Sequence, residues 1–128
     1  MPLNTVASFL CVAAGGAVGA CLRYAISLVF IAQNGRFPYA TLTVNLSGAL
    51  AAGFVVTLLA QRGLSTSPVQ LLVVVGFFGS FTTMSAFSVE TLRLLGAGEL
   101  SHALLNVVLT VAGCLLAAAT GIAAARAL

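Results

Sequence analysis

The sequence has no lysine, aspartate or tryptophan, and charged residues make up only 5% of its 128 positions. A soluble domain of this length needs far more charge to cover its surface, which excludes that class of protein. The few arginines are too scattered to form a nucleic-acid-binding surface, so we expect no nucleic-acid partner. The sequence offers no Ser-His-acid triad and no cluster of metal ligands, and we therefore predict that the protein is not an enzyme.

The sequence consists largely of long apolar stretches, and 61% of its residues are hydrophobic. A helix needs about 20 apolar residues to cross a bilayer, and four stretches reach that length. Lipid admits only helices or closed barrels, and these stretches are too long and too uniform to be strands. We predict an all-α integral membrane protein of the cell membrane, a single domain over residues 1–128, with helices at about 5–31, 39–60, 69–95 and 102–125.

The arginines give the chain no preferred orientation in the membrane. An even number of spans places Arg62 and Arg126 on one side, and Arg36 and Arg93 on the other. Two against two provides no bias for insertion. One interpretation is dual topology, in which copies insert both ways and pair antiparallel; the other is that so few charges balance by chance.

Arg23 and Asn45 are polar residues inside the first two predicted spans. Arg23 lies about two-thirds of the way along the first span, where an arginine costs a few kcal/mol. It either snorkels to the interface or forms a positive vestibule that attracts anions. Asn45, in the second span, either makes an interhelical hydrogen bond or presents its amide NH₂ to an anion path.

Small and polar residues also recur at helical spacing in the first and fourth spans. Gly15 and Gly19 form a GxxxG pattern, which is typical of close helix packing. In the fourth span a polar stripe recurs every four residues, and we interpret it as contacts between helices: His102, Asn106, Thr110 and Cys114.

The third span carries glycines and hydroxyl residues through its middle, in "GFFGSFTTMSAFS" (76–88). Glycine weakens a helix, and hydroxyl groups compete for its backbone carbonyls. These residues favour a break in mid-membrane at "GSFTT" (79–83), which would expose peptide groups that suit small ions. The alternative is an unbroken helix whose Ser and Thr side chains bond back to the previous turn.

Three motifs together resemble the Fluc (CrcB) family of fluoride channels: "GGAVGACLRY" (15–24), "PYATLTVNLSG" (38–48) and "GFFGSFTTMSAFSVET" (76–91). The resemblance implies a four-helix subunit whose third helix is broken mid-membrane. It also implies an antiparallel, dual-topology homodimer with two fluoride pores along its interface, a structural Na⁺ at its centre, and passive export of fluoride that lowers its cytoplasmic concentration.

The resemblance also implies roles for individual residues. The backbone carbonyls of Gly79 and Thr82 would hold Na⁺, and Arg23 would be the vestibule arginine. The residues assigned to the fluoride pore are Asn45, Thr83, Met84, Ser85, Phe87, Asn106 and Thr110, and Glu90 matches an acid of the same motif. The sequence departs from the family at Met84, where phenylalanine is usual, and at Cys114, where serine is usual.

Two other functions remain open. A small dual-topology multidrug exporter also has four short spans, but it needs a carboxylate in the membrane, typically in the first span, where this chain has Arg23. A non-transporting scaffold protein would use all the polar positions as contacts between helices.

Overall fold

The structure, a computed structural model, describes residues 4–31 and 37–128, and the regular elements of these residues are all helices. Helix α1 spans Thr5–Ile31, α2 spans Tyr39–Gln61 and α5 spans Leu100–Arg126. Between α2 and α5, a π-helical stretch at Gln70–Phe78 continues as α-helix over Gly79–Phe81; we call both together α3. Helix α4 follows at Met84–Gly96.

The helices of the described residues include four stretches that are long and apolar enough to cross a membrane, with α3 and α4 together forming one of them. The prediction of an all-helical protein with four such stretches is confirmed. Arg36, which entered the comparison of charges, and most of the turn between the first two spans lie outside the described residues.

Two glycines with positive φ end α2 and α4. Gly63 has a φ of 67° and Gly98 a φ of 76°, a region that residues with a side chain rarely adopt. After α4, the Gly98 N–H bonds the Leu95 carbonyl at 3.0 Å and the Glu99 N–H bonds the Leu94 carbonyl at 2.9 Å. This pair of bonds satisfies the last carbonyls of the helix, so the chain can turn back at once and pack α5 beside α4.

Helix α1 packs on α3 through glycines that bring the two backbones together. A Cβ atom at Gly15 would overlap the Leu72 carbonyl oxygen, and one at Gly19 would overlap the Phe77 carbonyl oxygen. The prediction that these two glycines serve packing is confirmed. Lipid is as apolar as leucine and drives no hydrophobic association, so close contacts of this kind hold membrane helices together.

Helix α2 packs on α5 in the same way. A Cβ atom at Gly53 of α2 would overlap the Ala118 carbonyl oxygen, and one at Gly121 of α5 would overlap the Leu50 carbonyl oxygen. Sequence reasoning missed this second interface. The signal was present, because the residues four and eight positions before Gly121 are also small.

Large apolar side chains cover the outside of the helices. Phe9 is 72% exposed, and Leu115 and Leu116 are each 69% exposed. The buried residues include several polar ones: Thr41, Asn45, Asn106 and Thr110. This arrangement reverses that of a soluble protein and suits a solvent of lipid, in which polar groups find their partners only inside the protein.

Candidate functional site

Two consecutive threonines separate α3 from α4. Thr82 has φ and ψ of −77° and 154°, and Thr83 has −148° and 115°, so both are extended. Gly79–Phe81, the first part of the segment predicted to break, is helical. Hydroxyl groups stabilise both helix ends: the Thr82 side chain donates to the Phe78 carbonyl at 2.9 Å, and the Thr83 hydroxyl accepts the Ala86 N–H at 3.2 Å.

Asn45 of α2 binds the exposed peptide groups of Thr83. Its Oδ1 accepts the Thr83 N–H at 2.8 Å, and its Nδ2 donates to the Thr83 carbonyl at 3.0 Å. In an unbroken helix the Thr83 N–H would bond the Gly79 carbonyl instead. Asn45 therefore makes the interhelical bond that its sequence position suggested, and its NH₂ retains a second hydrogen for another acceptor.

Arg23 of α1 approaches the same region from the other side. Its Nε donates to the Ser80 carbonyl at 3.1 Å, two residues before the extended pair. Ser80 is near the end of α3, where carbonyls lack the helical donors of a following turn. The contact ties a partly buried guanidinium to the end of α3, so the side chain does more than extend towards the membrane interface.

A polar crevice leads to Thr83 between α1, α2 and α4. It encloses about 310 Å³, and the lining residues with polar side chains are Arg23, Tyr24, Ser27, Thr41, Thr83 and Glu90. The Thr41 hydroxyl donates to Glu90 Oε1 at 2.8 Å. The other oxygen of Glu90 is buried and has no hydrogen-bond partner among the described residues.

A second cavity, which we call the central groove, also has Thr83 in its wall. It encloses about 460 Å³, and among its lining residues are Asn45, Thr82, Thr83, Met84, Thr110 and Cys114. The α2 residues of the crevice lie within 40–44, and those of the groove lie within 45–52. The two cavities therefore occupy successive depths along α2, and Thr83 lines both.

The structure brings together some of the predicted site residues and leaves others apart. Asn45, Thr82, Thr83, Met84 and Thr110 share the central groove, and Arg23 shares the crevice with Thr83. Met84 is 66% exposed, whereas Phe87, its predicted partner in the pore, is only 7% exposed and is not among the residues that line the crevice or the groove.

Two further predicted residues lie next to these cavities. Ser85 is exposed and places its hydroxyl oxygen 3.1 Å from that of Thr83. Gly79 is exposed in α3, just before the extended pair.

Asn106 lies behind the groove and is only 1% exposed. Its Nδ2 donates to the Thr91 hydroxyl of α4 at 2.9 Å, and its Oδ1 accepts from Thr110 at 3.5 Å. The bond to Thr91 joins α5 to α4 and agrees with the interpretation of the polar stripe as contacts between helices, whereas the bond from Thr110 lies within α5. Sequence reasoning missed Thr91, because a single threonine in an apolar helix gives no sign of its partner.

Comparison with a family of known proteins covers most of the chain, including the residues around Thr83. The model of a family described as "CrcB-like protein, Camphor Resistance (CrcB)" matches residues 10–122. The chain belongs to the CrcB family. The match includes every predicted site residue, from Arg23 to Thr110, so the family resemblance inferred from the sequence motifs is confirmed. The CrcB-family chain is accordingly a multi-pass membrane protein.

Several relatives of this CrcB-family chain bear the name "Fluoride-specific ion channel FluC". The protein from Magnetococcus marinus is 46% identical over 116 residues, which cover 90% of this chain and 94% of that protein. The one from Alteromonas mediterranea is 44% identical over 113 residues, which cover 88% of this chain and 89% of that protein. The one from Geobacter sulfurreducens is 42% identical over 120 residues, which cover 93% of this chain and 97% of that protein.

Proposed function

We propose that this chain is a fluoride-specific ion channel that exports fluoride passively across the cell membrane and so lowers its cytoplasmic concentration. Relatives of nearly the same length carry that name, and an enzymatic function is excluded by the same family membership. The structural observation that carries the proposal is that Thr83, in the interruption between α3 and α4, lines both the crevice and the groove. We take these two cavities together as the route of small ions past an interrupted helix, in which the crevice is the more polar part and the wall of the groove is largely apolar.

The chemistry of this route suits fluoride. Fluoride is small and strongly hydrated, so hydrogen-bond donors must replace its water. We assign that role to the second N–H of Asn45 and to the hydroxyls of Thr83, Ser85 and Thr110, with Met84 as an apolar wall. Among the described residues that line the crevice or the groove, Arg23 is the only cation, and it already bonds the Ser80 carbonyl. A path of mainly neutral donors allows an anion to leave as well as to enter.

A structural Na⁺ fits the backbone beside the route. Asn45 takes the N–H of Thr83 that would otherwise bond the Gly79 carbonyl, and the extended conformation of Thr82 removes its carbonyl from the helical pattern. Carbonyl oxygens released in this way suit a hard cation. We assign Na⁺ to the carbonyls of Gly79 and Thr82, and to the same carbonyls of a second copy, where it would hold the two copies together.

The partner that we propose is a second copy of the chain in the opposite orientation. The central groove is open, and Met84 at its edge is 66% exposed. A second copy would cover the groove and enclose the fluoride path. The balance of arginines, with Arg62 and Arg126 against Arg36 and Arg93, supports insertion in both orientations.

Fluoride efflux from liposomes that contain only the purified protein tests the proposal. We expect fluoride to leave rapidly down its gradient, chloride to be retained, and a pH gradient to have no effect. Flux that depends on the pH gradient would favour the proton-coupled exporter. If no flux occurs although the protein is folded and dimeric, the scaffold is the better interpretation.

Replacing Arg23 with glutamine should lower fluoride efflux by roughly tenfold, because a charge-assisted hydrogen bond to the end of α3 is lost. Efflux should be measured at low and at high concentrations of an inert salt. The defect should persist at high salt, since a partly buried bond is screened much less than long-range attraction. If salt removes the difference from the wild type, Arg23 acts only by attracting anions.

A further inference from the structure

A line of hydrogen bonds connects the central groove with the backbone of α4. The Thr110 hydroxyl donates to Asn106 Oδ1 at 3.5 Å, and Asn106 Nδ2 donates to the Thr91 hydroxyl at 2.9 Å. The Thr91 hydroxyl then donates to the Phe87 carbonyl at 2.7 Å. Each oxygen or amide in the middle of this line both accepts and donates, so each bond depends on its neighbours.

The positions of these residues show which of them can meet an ion. Thr110 lines the groove, whereas Asn106 is 1% exposed and Thr91 does not line the crevice or the groove. Both functional groups of the Asn106 amide are engaged by other side chains. Asn106 therefore reaches the proposed route only through the residues that it bonds.

The direction of the bonds also decides what Thr110 presents to the groove. Its single hydroxyl hydrogen is engaged by Asn106, so only the lone pairs of its oxygen remain for a group in the groove. An anion needs that hydrogen. The bond to Asn106 is long at 3.5 Å and is therefore weak, so the hydroxyl can turn from Asn106 to an ion at little cost.

We propose that Asn106 and Thr91 are positioning residues of the channel. Asn106 accepts the hydrogen bond of the Thr110 hydroxyl until an anion replaces it as the acceptor. Through Thr91 it also fixes the turn of α4 that carries Phe87. Neither residue contacts the ion. This proposal rests on the proposed function only where conduction is concerned, because the link from Asn106 to Phe87 exists whatever the protein transports.

Thr91→Val removes the hydroxyl and keeps the shape of the side chain. Asn106 Nδ2 then loses its acceptor inside the protein, and the Phe87 carbonyl loses a donor. We expect the single-channel fluoride conductance in planar bilayers to fall by about tenfold. Single-channel conductance does not depend on how much protein folds. Thr91→Ser, which keeps the hydroxyl, should restore conductance to near the wild-type value.

Thr57→Val is the matched control. The Thr57 hydroxyl also donates to the carbonyl four residues earlier, Gly53, at 2.8 Å, and no side chain of another helix bonds it among the described residues. The single-channel conductance of Thr57→Val should equal that of the wild type. If Thr91→Val also conducts like the wild type, the proposal is wrong.

The double variant Thr91→Val/Asn106→Ala separates an indirect role of Asn106 from a direct one. If Asn106 acts through Thr91, the double variant should conduct no worse than Asn106→Ala alone. If the two defects multiply, Asn106 acts independently of Thr91, and the proposal fails.

A measurement without fluoride transport keeps the proposal testable if the chain is not a fluoride channel or if Thr91→Val does not fold. Para-fluorophenylalanine at position 87 reports its surroundings by fluorine NMR of the purified protein in detergent. Asn106→Ala should shift this resonance and Thr57→Val should leave it in place. An unchanged resonance in Asn106→Ala overturns the proposed link, whereas a wild type without fluoride flux overturns only the proposed function.

Discussion

Asn45→Leu is expected to reduce fluoride efflux by at least about 30-fold, because both peptide groups of Thr83 lose their partner at once. Leucine has a similar size and a higher helix propensity, so α2 itself should form normally. The Thr83 N–H and carbonyl would remain unpaired in a region without bulk water, and the chain would relieve this by closing the helix or by rearranging α4. Efflux from liposomes, measured at equal protein density, checks the prediction.

Ser47→Ala provides the matched control for Asn45→Leu. Ser47 lies two residues further along α2 and is exposed. Among the described residues its hydroxyl bonds only carbonyls of its own helix, those of Thr43 at 2.7 Å and Val44 at 3.3 Å. Fluoride efflux through Ser47→Ala should equal that through the wild type. If Asn45→Leu also transports fluoride at the wild-type rate, the amide bridge to Thr83 has no role in conduction.

Gly15→Ala is expected to destabilise the protein by about 1–3 kcal/mol or more, because the added methyl group meets backbone rather than a flexible side chain. The Leu72 carbonyl occupies the place of the new Cβ atom, so α1 and α3 must move apart along their whole contact. We expect a lower yield of monodisperse protein in detergent and a lower melting temperature, measured by size-exclusion chromatography after heating.

Gly96→Ala makes the same substitution where there is room for it. Apart from the adjoining residues and the backbone of its own helix, no described atom lies within 4 Å of a Cβ at Gly96, and φ there is not positive. The variant should therefore melt at or slightly above the wild-type temperature. Equal melting temperatures for Gly15→Ala and Gly96→Ala would contradict the packing of α1 on α3.

The number and type of the spans could be predicted because they depend on properties that each segment carries by itself. A stretch such as Thr5–Ile31 is apolar for longer than a bilayer is thick, and lipid leaves a helix as its only simple structure. The GxxxG pattern at Gly15 and Gly19 likewise predicted a close contact between two helices. It did not identify α3 as the partner, because a small face fits any other backbone equally well.

The partners of the polar residues could not be predicted, since they depend on how the helices are arranged. Asn45 bonds Thr83, which is 38 residues away in the sequence, and Asn106 bonds Thr91 on another helix. The sequence suggested an interhelical bond for Asn45 without naming the acceptor. Nothing local indicated that Gln70–Phe78 would form π-helical hydrogen bonds, and we have no physical account of that feature.

The reversal potential of purified channels in a planar bilayer, with fluoride on one side and chloride on the other, tests the central claim most directly. If small anions pass the interrupted third crossing by exchanging water for the donors around Thr83, the potential should follow the fluoride gradient, by about 59 mV for each tenfold change. It should not respond to chloride or to pH. A potential near zero with equal fluoride and chloride concentrations would contradict the account.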